Sequence, residues 1–266
     1  MGHAVRMQPG RAFAVALGLL GLALSGGCGS AGAPGTTAPT GVDGLVVPTP
    51  SPDPDDFVPR IDNPYLPLVP GSTWTYESKS STGTETITVT VTDETRTVAG
   101  VETTVVHDEV RDARGKLVED TYDWFAQDRA GNVWYFGEDT TAYDEDPDDP
   151  EDSTVSTEGS WEAGVDGAMA GVAMLAAPRI GDGYRQEFLE GVAEDRAEVL
   201  RVSVTLDLDT ESYDDVVVTS DTTPLEPDLE ERKYYAPGIG LVAEETVRGE
   251  KEQVRLVTYT PAAPAS

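Results

Sequence analysis

The stretch 101–137, VETTVVHDEVRDARGKLVEDTYDWFAQDRAGNVWYFG, decides the fold. Three strand-forming runs, 101–111, 116–127 and 132–137, are separated by Asp112-Ala113-Arg114-Gly115 and Asp128-Arg129-Ala130-Gly131. Both separators place Asp first and Gly fourth, the pattern of a type I turn closed by a residue that tolerates positive φ. The reading is a three-strand antiparallel meander. In its middle strand Val118, Tyr122, Trp124 and Ala126 fall on one face. Glu119, Thr121 and Asp123 fall on the other, because successive side chains of a strand alternate. Folding about the second turn brings Trp124 and Phe125 opposite the run Val133-Trp134-Tyr135-Phe136. Aromatic cross-strand pairs of this kind contribute roughly 0.2–1 kcal/mol each.

The same period of two extends outward on both sides. Upstream, Trp74 and Tyr76 alternate with polar neighbours in 73–79, and Ile87, Val89 and Val91 alternate with threonines. The run 95–98 is split from the meander by Ala99-Gly100. Downstream, strands are predicted at 183–191, 198–208, 213–221, 229–235, 241–247 and 253–259, with Pro237-Gly238 supplying a type II turn. Three segments depart from the pattern. Residues 143–152 (YDEDPDDPED) carry acids and two prolines and read as an exposed loop. Residues 163–183 are rich in Gly, Ala and Met and read as a short helical or irregular cover over the sheet. Residues 192–200 suit a helix as well as a strand. The expected fold class is mainly all-β, an antiparallel meander closing into a barrel, a half-barrel or a sandwich.

The N-terminus reads as an export signal. Arg6 and Arg11 precede the apolar run FAVALGLLGLAL at 13–24, which is too short to span a bilayer core of ~30 Å as a helix. Ser25-Gly26-Gly27 then leads to Cys28, the sole cysteine, so no intramolecular disulfide is possible. The stretch LSGGC resembles the lipobox of bacterial lipoproteins, which implies cleavage after residue 27 and lipidation of Cys28. Two or more acyl chains give durable anchoring at ~0.8 kcal/mol per buried methylene. The organisation expected is a signal peptide at 1–27, a lipidated cysteine and flexible Pro/Gly/Ser/Thr-rich linker at 28–62, a single acidic β-domain at 63–260, and a disordered tail at 261–266. The linker has too few aromatic residues to offset its ordering entropy, and its role is to hold the domain off the membrane. The expected location is the extracytoplasmic side of a cell membrane, with lipid on Cys28 as the membrane partner.

Charge excludes one class of partner. Loss of residues 1–27 removes two arginines and no acid, which leaves 16 basic and 49 acidic residues and a net charge of 16 − 49 = −33. Such a chain repels phosphate backbones, so nucleic acid is not an expected partner.

Four strings, NPYLPLVPGSTWTYE, TYDWFAQDRAGNVWYFGE, GSWEAGVDGA and KYYAPGIGLVAEE, resemble a family of uncharacterised bacterial lipoproteins and exported proteins over residues 63–257. The resemblance implies export and a β-domain, but no reaction and no ligand. The closing KYYAPGIGLV hairpin is also similar to the ending of a wider set of exported β-domains, some of them half-barrels that hold lipids.

Chemistry is sparse. The mature chain keeps one histidine, His107, and no G-x-S-x-G elbow is present. His107 and Asp108 are strand neighbours and point to opposite faces. One histidine and one lipidated cysteine do not make a structural zinc site, and no cofactor is expected. Asp144, Asp146, Asp148 and Asp149 form a weak calcium candidate, since the segment lacks the D-x-D-x-D-G arrangement and its glycine. Paired carboxylates for glycoside hydrolysis carry no specificity among 49 acids. The remaining candidate is aromatic: Trp124, Trp134, Tyr135 and Phe136 as one wall of an apolar cavity, with Met169, Met174 and Leu175 as an adaptable lid. A non-enzymatic binding domain for an apolar or envelope-derived ligand is the leading reading. A structural module docking another envelope protein is the alternative, and a carboxylate-based hydrolase comes third.

Overall fold

The described residues are mostly strand. The structure, a computed structural model, describes residues 51–146, 149–208 and 211–263. Residues 1–50, with the signal segment and Cys28, lie outside these, as do 264–266 and the side chains of Asp144, Asp146, Asp148 and Asp149.

The strands in chain order are β1 (Phe57–Val58), β2 (Thr73–Ser80), β3 (Thr84–Val98), β4 (Val101–Asp112) and β5 (Leu117–Asp128). There follow β6 (Val133–Asp146), β7 (Asp149–Ser156), β8 (Trp161–Glu162), β9 (Met169–Met174), β10 (Gly183–Arg185) and β11 (Glu187–Phe188). The last five are β12 (Arg196–Asp207), β13 (Ser212–Thr222), β14 (Glu230–Ala236), β15 (Gly240–Arg248) and β16 (Glu252–Thr260). Among the described residues the helical content is a single 3-10 turn at Pro54–Asp56. All pairings are antiparallel, in the order β10-β12-β13-β14-β15-β16-β2-β3-β4-β5-β6-β9-β11, with β1, β7 and β8 as side branches.

This sheet is nearly closed into a barrel. Its two ends, β10 and β11, are separated in the chain by Gln186 alone, so residues 183–188 form a seam between them. At the seam a Cβ on Gly171 of β9 would lie 2.2 Å from the Gln186 carbonyl oxygen, so only glycine allows the approach. The predicted turns hold: Gly115, Gly131 and Gly238 have φ of +81, +94 and +77°.

Two local expectations are corrected and an open one is resolved. Residues 163–183 contain no helix; they are irregular, as the other reading had it, apart from Gly183 at the start of β10 and from β9, which pairs with β6 and β11. Small residues are needed there because the seam backbone passes close, and the same smallness hides the strand from propensity. The ambiguous run 192–200 enters strand β12 at Arg196, burying Ala197 and Val199. The acidic run 143–152 is mostly strand, since β6 and β7 pair from Ala142↔Ser156 to Asp146↔Asp149. Its Pro150 is accommodated because β7 pairs with β6 alone and is an edge, where a missing N–H costs little. The end of the segment read as linker is also ordered. Phe57 and Val58 pair with β5, and Ile61 is buried in the core.

The faces of β5 carry the main surprise. Tyr122 is 39% exposed, whereas Glu119, Thr121 and Asp123 are buried. The polar face of the meander points into the barrel.

Candidate functional site

Across the described residues the buried set includes ten acids: Asp108, Glu119, Asp123, Glu138, Glu187, Asp195, Asp221, Glu231, Glu244 and Glu252. Lys233 is the one buried lysine or arginine among them. Register explains the grouping. Asp123 of β5 stands directly opposite Glu138 of β6, Thr121 stands between Asp108 and Thr140, and Glu119 faces Ala142. On the other arc Lys233 of β14 stands between Thr219 of β13 and Glu244 of β15, and Asp221 faces Glu231.

The two arcs stabilise their acids differently. Lys233 Nζ lies 3.4 Å from Asp221 Oδ2 and 3.8 Å from Glu244 Oε2. Burial works against the lysine's charge, but Glu244 and Asp221 outweigh it and raise its pKa. The β5–β6 arc has hydroxyls where the other has a cation. The Tyr135 hydroxyl donates to Asp123 Oδ1 at 2.6 Å, and Thr140 donates to Glu138 Oε2 at 2.9 Å. Burial raises the pKa of Asp123, and neighbouring Asp108 and Glu119 raise it further against the Tyr135 bond. Burial likewise pushes Glu119 up to about 7 and Asp195 up to about 7, and raises Glu138, Glu187 and Glu244.

Within this interior lies a cavity of about 60 Å³. Leu66 and Leu68 of the 59–72 connection, Val89 of β3, Val106 of β4 and Leu241 of β15 supply aliphatic walls. Trp74 and Tyr76 of β2, Phe125 of β5 and Tyr235 of β14 supply aromatic ones, and Asp108 and Asp123 are its charged-type residues. The aromatic walls are fixed by polar contacts elsewhere. Trp74 Nε1 donates to the Ile239 carbonyl at 2.8 Å and the Tyr76 hydroxyl to the Leu241 carbonyl at 3.0 Å. The second oxygen of Asp123, Oδ2, is buried and accepts no hydrogen bond.

The four aromatic residues expected as a cavity wall are all buried, but they divide between two faces of the sheet. Tyr135 shares the inner face with Phe125, on which it stacks at 4.8 Å, and reaches the cavity through its bond to Asp123. Trp134 and Phe136 alternate to the opposite face and pack edge-on against Phe57 at 6.1 and 5.4 Å. Trp124 lies under the Arg96 guanidinium, 3.9 Å from the ring centre. Of the expected lid, Met174 is buried, Leu175 is half-buried and Met169 is exposed. Sequence reasoning missed Asp123 and Asp108, since an Asp-Thr-Glu alternation reads as a solvated face.

His107 and Asp108 do point to opposite faces. The ring of His107 stacks on Tyr122 at 4.4 Å, and its Nε2 lies 2.6 Å from Asp120 Oδ1. Together with Glu109 these form the one group of three potential ligands within 4.8 Å of one another among the described residues. Counting histidines and cysteines does not find such a group, because two of its three members are carboxylates. Here Glu109 Oε1 is held by Arg111 at 2.6 Å, an ordinary ion pair on a half-buried sheet surface. The interior acids form no such ligand group.

No protein-family model matches the chain, and no curated protein does. Two solved structures are similar over 74% of the chain. One is described as a "putative exported protein with YmcC-like fold" from Bacteroides fragilis, at 15% identity and a TM-score of 0.40 over 99% of that chain. The other is described as a "putative lipoprotein" from Parabacteroides distasonis, at 11% identity and 0.40 over 98%. At this score the likeness carries no argument about activity. No described helix is long and apolar enough to cross a membrane.

Proposed function

We propose that the chain is an exported lipoprotein, anchored through Cys28, whose β-domain is a non-enzymatic binding module for a small apolar group of an envelope-derived ligand. The observation that carries the reading is the cavity walled by Leu68, Trp74, Tyr76, Phe125, Tyr235 and Leu241. Apolar pockets with a few placed polar groups are the usual form of a ligand site. At about 60 Å³ the room is far below the roughly 300–1,000 Å³ of pockets that enclose drug-sized molecules. It therefore suits one end of a ligand rather than a whole lipid. The lining places no histidine, serine, cysteine or cation beside the two acids, so it offers no Ser-His or Cys-His nucleophile.

Native mass spectrometry of the Cys28→Ser chain, which lacks the lipid anchor and is collected without detergent, tests this. The expected result is a retained small-molecule mass that Ala173→Leu, which narrows the cavity, expels. A ligand-free spectrum, together with no binding of short hydrocarbons, overturns it. Anchoring is checked separately: Cys28→Ser is expected to leave the membrane fraction, and its retention there overturns the lipoprotein half of the proposal.

A further inference from the structure

The binding reading leaves the character of the ligand open, and the cavity's polar side narrows it. Asp123 is 0% exposed, lines the cavity, and has one oxygen committed to the Tyr135 hydroxyl while Oδ2 has no hydrogen-bond partner. Around it stand Asp108 from β4, Glu119 on its own strand, and Tyr135 and Glu138 from β6, all acids or a phenol. No lysine or arginine lines the cavity, and Lys233 is engaged with Asp221 and Glu244. A buried carboxyl with an unmade bond is destabilising, and an apolar side chain there would relieve it. Retaining an acid at that place is what a site for positive charge requires. The walls agree, because Trp74, Tyr76, Phe125 and Tyr235 line the cavity and aromatic rings are compatible neighbours for a cation. A carboxylate ligand would find no cation in the lining to pair with.

Resting on the binding reading above, we infer that the cavity takes a small organic cation, an alkylammonium. Its head meets Asp123 Oδ2, and its hydrocarbon lies along Trp74, Tyr76 and Phe125. A metal ion is a poorer occupant, since no three interior acids bring ligand atoms within 4.8 Å among the described residues. Burial raises the Asp123 pKa, so binding of the ammonium is expected to tighten as pH rises.

Titrating the full-length chain with n-butylammonium, n-butanol and butyrate tests this by chemical shift. The three probes share a chain and differ in charge. The expected order is ammonium first, by roughly tenfold over the alcohol, a difference of about 1.4 kcal/mol, with butyrate last. Asp123→Asn is expected to abolish the preference while keeping the alcohol's affinity. Should that variant fail to fold, the order of the three probes on the wild-type protein still decides. An alcohol that binds as tightly as the ammonium overturns the cation and leaves the apolar pocket standing. Preference for butyrate overturns the cation as well. Binding of none of the three overturns the pocket reading itself.

Discussion

Two arcs of one barrel bury acids in the same geometry and resolve the conflict in opposite ways. In β13–β15, Lys233 stands across the strand from Glu244 and beside Asp221. In β5–β6, Asp123 stands across from Glu138 with no cation near, and protons and hydroxyls take the place of the lysine. Like charges directly opposite on a sheet destabilise it, whereas opposite charges stabilise it. One arc is therefore a closed structural network, and the other keeps unspent electrostatic capacity on the side where the cavity lies.

Breaking the closed arc has the largest expected effect. Lys233→Met leaves Asp221 and Glu244 without their cation, and removing one partner of a buried pair costs roughly 3–5 kcal/mol. Denaturant unfolding at pH 8 measures it. The deficit is expected to shrink as pH falls from 8 to 5, since burial raises the Glu244 pKa and favours its neutral form. An unchanged deficit across that range means the two arcs do not differ as described.

The open arc is probed by pH. Glu119 has a folded pKa of about 7 against an ordinary 4.5. A raised folded value means the folded state holds the proton more tightly. Its stabilisation is complete below about 4.5 and is lost as pH rises to about 7, an expected fall of about 3 kcal/mol from a shift of about 2.5 units. The protein should thus lose stability on going from pH 5 to pH 8, and Glu119→Gln should flatten the profile. A wild-type profile that rises over this interval contradicts the protonated arc.

The smallest effect belongs to the outer surface. His107 and Asp120 form a half-exposed pair, and such pairs contribute about 0.2–1 kcal/mol. His107→Asn is expected to fall within that range by thermal melting, and a loss on the scale of Lys233→Met would show that the surface group carries more than an ion pair.

How much of this could be read in advance depends on what each residue shows by itself. The strands around 101–137 and the turns at Gly115, Gly131 and Gly238 were legible because alternation and Asp…Gly spacing are local signals. β9, MAGVAM, was not, because its small residues answer a close approach to Gln186 made by a strand elsewhere in the chain. The acidic site was hidden more deeply. Glu119, Thr121 and Asp123 alternate as a wet face does, and only the curvature of the whole sheet turns that face inward. Trp124, Trp134 and Phe136 had the opposite fate, since aromatic residues announce burial without announcing which face they occupy.

The pairing of β16 with β2 has a consequence for how the molecule forms. Thr260 and Thr73 are register partners, and Ser78 bonds Glu252 across 174 residues. Folding rates fall as contacting residues become more distant in the chain. The two ends of the sheet can each assemble locally as a meander, but the ring cannot be completed until the last strand has been made. Until then the acids meant for the interior stand in water, and a chain truncated before Glu252 would remain an open ribbon with its polar face wet.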